Sequence, residues 1–587
     1  GDGGGGVNRD MLEMRRAMDR IPGLPHVKTG RAGEFFRRIH EKVDHTDRYV
    51  HTWDGELYLE YHRGTYTSQA YNKKTNRYLE NALARLEWLS ATAWLAGNGY
   101  AGQELHDCWE CVLLHQFHDI IPGSSIHEVY EDSRVNYGRV EKLADQVRER
   151  VLGQIMKAAP FTYAVYTANS FGGKEPVLIP DNGPGYFVDE DGRALDSQRC
   201  REGCLVLVDT RPFAAVTVRF VPERQVPGET GRMTPGQQPA GEVFRRPETN
   251  CLETPYYFIK WSDDGRVTEL YDREEERRVL RQGQCGNVLE IYEDKPINYD
   301  AWDIDIFYGQ KKETVKCVQI PEVTEIGPLR AVVHFEYRYH RSEIIQDMVV
   351  YRDSRRIDFL TRVDWRESHK LLKAAFYTDI RATKATYDIQ FGHVERPTHW
   401  NTSWDWARFE VCGHKWADLS ETGYGVSLLN DCKYGYSIKD NAMKLSLLKS
   451  AKEPDTEADM GIHRFAYSLF PHRGSLTEGG TIQAANQLNL PAQAAAGVFA
   501  EKRRVAVLSG EGVQLDVVKR AEDEECLIIR LHECLGGSRQ AVLSSEFPVK
   551  RIVPCNLLEH DSGPAVEGAE VKFTVRPFEI RTFKMYL

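Results

Sequence analysis

The sequence has no apolar run approaching the ~20 residues that a helix needs to cross a bilayer. That argues against a membrane as partner. It also lacks basic excess: 76 Lys and Arg stand against 87 Asp and Glu, a formal net charge of −11. A surface built to grip nucleic acid would need a basic patch, so nucleic acid is not an expected partner either. Twelve cysteines occur, but without the spacing of a disulfide framework. Most lie in apolar runs, where a reduced Cys packs as a small hydrophobe. A reducing compartment, the cytoplasm, is the expected location. Cys108 and Cys111 form a CxxC and Cys200 and Cys204 a CxxxC. At i, i+3 inside a helical run, the first pair reads more simply as a packed face than as a structural zinc site. The opening GDGGGGVNRDMLEMRRAMDR lacks an initiator Met, a basic start and an apolar core, so it is not a signal peptide. A glycine run opening directly onto a helix usually sits inside a domain, and the sequence is expected to begin mid-protein.

What is present is a chain of 587 residues with ordinary globular composition, 41% hydrophobic and 28% charged. At ~100–200 residues per domain, three or four domains are expected. Residues 1–27 read as a Gly-rich loop and one amphipathic helix that ends at IPGLP. A strand-like HVKTG (26–30) and a helix near 31–43 follow. Residues 66–155 are strongly helical, with NKKTNRYLENALARLEWLSATAWLAG repeating apolar positions at i, i+3 and i+4. A second long helix is expected over 102–121. A third is expected from His127 to about 158, with Ser124 or Ser125 as N-cap and Glu128 as capping-box partner. Three long helices joined by short turns make an antiparallel bundle. From about residue 161 the period changes to two, almost no helical pattern returns, and two or three antiparallel sandwiches are expected. VPGETGRMTPGQQPAGE (226–242) reads as a loop or linker.

Three stretches carry candidate chemistry. In LHQFHDIIPGSS (114–125), Pro122 disfavours helical geometry at Ile121, which places His118 and Asp119 in the last helical turn. Imidazole beside carboxylate at a helix end suits a divalent metal. The plainer reading is a His against free helix carbonyls and a solvated Asp. In WDGELYLEYHRGTYTSQAYNKKTNR (53–77), Asp54, Glu56 and Glu60 crowd among Trp53, Tyr58, Tyr61 and His62. Acids mixed with rings suit a sugar site, and solvated acids on an amphipathic edge are the alternative. In EDKPINYDAWDID (293–305) and HVERPTHWNTSWDWARFEVCGHKWADL (393–419), Trp302, Trp400, Trp404, Trp406 and Trp416 occur with Asp300, Asp303, Asp305, Asp405 and Asp418. These segments read as sheet rims facing a ligand or as packing between domains.

Taken together, GDGGGG before a helix, GELYLEYHRGTYTSQA–NKKTNR, QFHDIIPGSS, YDAWDID, ERPTHWNTSWDWARFEV–HKWADLSE–GYGVSLLNDCKYGY and HRFAYSLFPH resemble class II α-mannosidases, glycoside hydrolase family 38, in the bacterial and cytosolic branch. The matches run in order from residue 1 to about 473. The resemblance implies a multidomain α + β fold: a three-helix bundle followed by antiparallel β-sandwich domains, one of them a mutarotase-like supersandwich. The expected boundaries are 1–27 for the tail of a β/α catalytic domain, 28–160 for the bundle, 161–242 for a small β domain, 243–480 for the supersandwich and 481–587 for a C-terminal β domain.

The resemblance also implies a retaining exo-α-mannosidase that uses Zn2+ and acts on mannose-containing oligosaccharides. His118 falls on a zinc ligand of the family and Asp119 on a contact to sugar hydroxyls; the position before His118, often a second His in the family, is Phe117. Glu56 is the first choice for the acid/base, with Asp54 and Glu60 behind it. Asp2 corresponds to an acidic loop lining the site, and Asp300 and Trp302 to sugar-facing positions. Of the family's His-x-Asp, nucleophilic Asp and late His, only the late His has a counterpart here, His118; His45-Thr46-Asp47 has the letters of the first but the wrong place. The chain is therefore expected to be the C-terminal portion of a longer enzyme, inactive alone. The alternatives are a non-catalytic carbohydrate-binding assembly and another supersandwich enzyme, such as a phosphorylase or lyase. Large β assemblies often self-associate, so a homo-oligomer is a further expectation.

Overall fold

The computed structural model describes residues 5–57, 61–223 and 243–587. Asp2, Tyr58, Glu60 and the 226–242 stretch lie outside them. The chain divides into two compact units, residues 1–58 and 59–587. In the first, helix α1 (Arg9–Met18) is capped by Asn8, whose side chain accepts from the Met11 amide at 2.9 Å. Asp19 accepts from the Val27 amide, and Arg15 donates to the Val27 carbonyl, which turns the chain back along the helix. Residues 26–30 form no strand, contrary to the sequence pattern. Helix α2 (Ala32–Asp44) follows.

The second unit begins with the expected bundle: α3 (Ala70–Leu95), α4 (Gly102–His115) and α5 (His127–Ile155). The apolar repeat is what holds it together. Leu79, Leu83, Leu86 and Leu89 of α3 share one core with Leu105, Cys108 and Val112 of α4 and with Tyr137, Val140, Ala144, Val147 and Val151 of α5. That core continues into Val513, Leu515, Ile529 and Leu531, so the bundle rests on a β-sandwich near the C-terminus. Cys108 is buried in the bundle, Cys111 is half-buried, and no disulfide joins the cysteines among the described residues. The CxxC is a packed face.

Two of the helix boundaries differ from the sequence reading. Helix α4 stops at His115, and residues 116–123 run on as turns such as Phe117 N–H to Leu114 O and Ile120 N–H to Phe117 O. His118 and Asp119 therefore lie beyond the helix rather than in its last turn. Helix α5 has Ile126 as N-cap with no side-chain cap bond. The Ser124 and Ser125 hydroxyls are committed elsewhere, to Asp119.

A small sandwich pairs Thr162–Thr167, Ala214–Pro222, Gly185–Val188 and Ala194–Leu195 in one sheet, with a three-stranded sheet centred on Gly203–Thr210 over it. Its outer strand against Thr162–Thr167 is Gln493–Ala496, from far along the chain. The large sandwich sets a six-stranded sheet against a ten-stranded one. Phe376 of the former meets Phe359 and Tyr467 of the latter at 5.7 and 6.3 Å between ring centres. A last sandwich contains Val513–Arg520, Leu527–Glu533 and Ile580–Tyr586. The β region is not free of helix: Thr481–Asn489 packs Ala484 and Ala485 under Trp416, Leu429 and Phe470.

Inside the bundle, Glu87 is buried and accepts from the Trp109 indole N–H at 3.0 Å. Burial pushes its carboxyl up to about 7. Between the usual carboxylate value and about 7, the folded protein holds a proton that the unfolded chain releases. Stability therefore falls as pH rises through that window. Glu87→Gln is expected to remove this slope in melting curves recorded from about pH 4.5 to 7; parallel slopes in both proteins would contradict the assignment.

Candidate functional site

Four segments far apart in sequence meet around the start of α3. Ser68 is fully buried at their centre. Its hydroxyl donates to the Ala301 carbonyl at 2.6 Å, and its own carbonyl accepts from the Lys73 ammonium. Lys73 also donates to the Ile121 carbonyl at 2.7 Å, which fastens the turn after α4 to the first turn of α3. Gly123 lies over Ser68 with φ +92°, and a Cβ there would stand 2.6 Å from both the Ser68 carbonyl oxygen and its Cβ. Gly64 is pressed in the same way against 301–303: a Cβ would lie 2.7 Å from the Ala301 carbonyl oxygen. The Gly64 amide donates to the Trp302 carbonyl at 2.8 Å. The fourth segment caps the helix. Asp459 accepts from the Gln69 and Ala70 amides, and Asp455 accepts from the Gln69 side chain at 2.6 Å and pairs with His127 at 2.9 Å.

This scaffold fixes Asp119 from several sides. Its carbonyl accepts from Ser124 N–H, the Ser125 hydroxyl and the Tyr130 hydroxyl. Its Oδ1 accepts from the Ser124 hydroxyl at 2.9 Å. Oδ2 is left facing His118 Nε2 at 3.6 Å. The His118 imidazole is 78% exposed and lies against the Phe117 ring, 4.1 Å between centres. His115, its neighbour in the motif, takes the plain role. It is buried, its Nδ1 bonds the Cys111 carbonyl at 2.7 Å, and its ring packs on Tyr137.

On the other side of Ser68, the 299–303 turn carries an aromatic surface. His62 stacks on Trp302 at 5.2 Å, and Tyr299 packs edge-on against Tyr61 at 5.4 Å. Asp300 Oδ2 accepts from the Lys452 amide at 2.6 Å, while its Oδ1 is buried without a hydrogen-bond partner among the described residues. Asp303 is structural, buried against Arg63 and accepting from the Ile304 amide. The 393–419 segment disperses. Ser403–Ala407 is a short helix whose Asp405 completes a capping box with Thr402. Trp404 and Trp406 are exposed, and Trp416 is core. Asp418 is buried between Ser420, Ser427 and His472.

The structure thus joins His118, Asp119, Asp300 and Trp302 through one buried serine. Asp54 and Glu56 belong to the other unit, where the Glu56 carbonyl accepts from the Trp53 indole N–H at 3.0 Å. Glu60 and Asp2 lie outside the described residues. Lys73, Asp455 and Asp459 hold the site's frame but carry no sequence signal, since the aspartates act on groups more than 300 residues away, Asp459 on the Gln69 and Ala70 amides and Asp455 on the Gln69 and His127 side chains. Among the described residues, no group of three or more His, Cys, Asp or Glu side chains could hold a metal ion. A zinc site needs three or four protein ligands, so this donor set fits one corner of such a site and not a whole one.

Three family models match the chain: the alpha mannosidase middle domain over residues 60–155, the glycosyl hydrolases family 38 C-terminal domain over 252–457, and the family 38 C-terminal beta sandwich domain over 512–583. Alpha-mannosidase G of Dictyostelium discoideum is 34% identical over 636 residues, covering 100% of this chain and 57% of its own length. Alpha-mannosidase 2C1 of Homo sapiens is 33% identical over 604 residues, covering 100% and 55%. An alpha-mannosidase from Enterococcus faecalis V583 shares the fold with a TM-score of 0.76 over 98% of this chain and 74% of that one, at 16% identity. The chain spans about half the length of the curated relatives it matches.

Gly123→Ala combines an unfavourable φ with contact against backbone. It is expected to lower stability by roughly 2–4 kcal/mol, visible as an earlier unfolding transition. An unchanged transition would mean that the turn is not held as described.

Proposed function

Starting from the fact that the chain belongs to glycoside hydrolase family 38, we propose that it forms part of a zinc-dependent retaining exo-α-mannosidase that releases terminal α-mannosyl residues from oligosaccharides. The observation that carries this reading is the exposed His118 imidazole beside an Asp119 whose backbone and Oδ1 are already committed. A side chain with no structural task, held at the rim of a rigid turn, is available to a ligand.

In this reading His118 is one zinc ligand, and the remaining ligands come from outside the described residues. The metal, when bound, would supply Lewis-acid polarisation of sugar hydroxyls. The chain's own residues bind and orient. Asp119 Oδ2 faces the imidazole and can either orient it or accept a sugar hydroxyl. Asp300 Oδ1 is a buried acceptor that a second hydroxyl would satisfy. The Trp302 surface offers a flat apolar face to the sugar ring, and Asp2 would line the same site. Glu56 is the proposed acid/base, with Asp54 and Glu60 as the nearby alternatives. A retaining enzyme needs two carboxyls ~5–5.5 Å apart, and the second is proposed to lie outside this chain. The 587-residue polypeptide alone is then inactive. No disulfide joins any of the twelve cysteines among the described residues, which supports a cytoplasmic setting. No helix among the described residues is long and apolar enough to cross a membrane. The order of domains given above is proposed to stand, with the bundle carrying the zinc-ligand turn, residues 1–58 forming a unit of their own and the Gln493–Ala496 strand completing the small β domain.

Two measurements test this. Purified 1–587 with added zinc should not hydrolyse an aryl α-mannoside; turnover like that of a complete family enzyme would overturn the proposal. In the complete protein, His118→Ala should lower bound zinc and cut activity by about 100-fold or more, while Phe117→Ala should leave zinc in place.

A further inference from the structure

A cavity with a volume of about 260 Å3 lies between α3, α5 and the 488–493 segment. Its lining runs along α3 from Lys74 to Arg85, and Arg85, about 15 residues beyond the start of the helix, is about 22 Å along it from the Ser68 frame. Its lining carries polar atoms that the protein does not satisfy. Arg85 is 9% exposed, and its guanidinium, with five N–H donors, makes one long bond, to the Pro491 carbonyl at 3.4 Å. Its Nε has no partner among the described residues. Burial pulls its pKa down, with Arg148 adding to the effect, as expected of a guanidinium short of acceptors. Two acceptors in the same lining are equally unused, Asp431 Oδ1 and Asn489 Oδ1. The Asn489 amide cannot simply flip, because its nitrogen donates to the Asn430 and Ala485 carbonyls, both at 2.9 Å. A smaller cavity of about 120 Å3 adjoins across Asn81 and Arg85 and includes Asn169, whose Nδ2 is also unpartnered.

An unsatisfied buried polar group costs about 1–3 kcal/mol, and several in one place call for a ligand or bound solvent. The unused set in the larger cavity's lining is mixed: a donor, Arg85 Nε, and two acceptors, Asp431 Oδ1 and Asn489 Oδ1. A simple anion would satisfy only the donor and a cation only the acceptors. A hydroxyl does both. The charges agree, since Lys74, Arg85 and Arg148 face Asp145 and Asp431, and Arg148 is already bridged to Asp145 at 3.0 Å. Drug-sized ligands use ~300–1,000 Å3, so a cavity of 260 Å3 suits a single sugar ring rather than a chain. Tyr78 lines the wall, half-exposed, as a ring on which a sugar's CH face can rest. We propose that this cavity is a second binding site, separate from the His118 turn, for a neutral polyhydroxylated ligand of monosaccharide size, held by Arg85, Asp431 and Asn489.

The test is saturation-transfer NMR on 1–587 with mannose, glucose and myo-inositol, in a His118→Ala, Asp119→Asn background that removes the first site. Saturation transfer to at least one of the three is expected to persist in that background. Asp431→Ala should weaken it about tenfold, the factor that one hydrogen bond of ordinary net strength is worth. Arg148→Ala, at the more exposed edge, is the second variant in case Asp431→Ala fails to fold, and it should weaken binding more mildly. Absence of transfer from all three, or transfer that neither variant changes, would mean that the cavity holds only water and overturn the proposal. Loss of transfer on His118→Ala, Asp119→Asn alone would place the sugar at the first site and equally overturn it. Absence of transfer, or transfer that neither variant changes, would leave the catalytic reading untouched, whereas its loss with His118 and Asp119 would support that reading.

Discussion

The contact on which the rest depends is the burial of Ser68 beneath Gly123, with Lys73 threaded behind both. One hydroxyl, one carbonyl and one ammonium tie the turn after α4, the opening of α3 and the 299–303 turn into a single body. Each bond is ordinary in strength. Their effect comes from burial, where a lost partner cannot be replaced by water. The ammonium is expensive to bury: desolvation brings Lys73 down to about 7, against the pull of Asp459. A chain that retains such a group in this position gains placement from it more than stability.

That placement explains why the site surface is split between fixed and open groups. Asp119 has its carbonyl and one carboxylate oxygen engaged, and His115 is folded into the bundle core. His118 between them stays at the surface. The same division recurs at 299–303, where Asp303 is consumed by Arg63 and the 304 amide while Asp300 keeps one oxygen unpaired. In both turns, one acid builds the frame and a neighbour is left over for chemistry.

Much of the fold was legible in the sequence because its signals are local. The i, i+3, i+4 repeat of α3 and the alternation in strands such as RAVVHFEYRY are written in adjacent residues. The exact end of α4 was not legible. Pro122 marks the latest point at which the helix can stop, but it cannot say that i→i+3 turns take over six residues earlier. The cap of α5 was misread because Ser124 and Ser125 have the right chemistry at the right distance, and only the fold shows that Asp119 claims them. Lys73, Asp455 and Asp459 were invisible for another reason: the partners that give them their roles include groups from other segments, the Ile121 carbonyl for Lys73 and residues 69, 70 and 127 for the aspartates, and no spacing rule reaches that far. His118 stood out because imidazole, carboxylate, Pro and Gly fell together in six residues.

The strand Gln493–Ala496 gives the small sandwich an unusual history. Its sheet opens with Thr162–Thr167, yet the strand that covers the edge of Thr162–Thr167 is made only after the whole large sandwich has been synthesised. Until then the early sheet waits with bare amides and carbonyls along one side. The large sandwich is therefore threaded between two parts of a smaller neighbour, anchored at both ends like a bead on a closed loop, and the nascent chain completes its earlier lobe last.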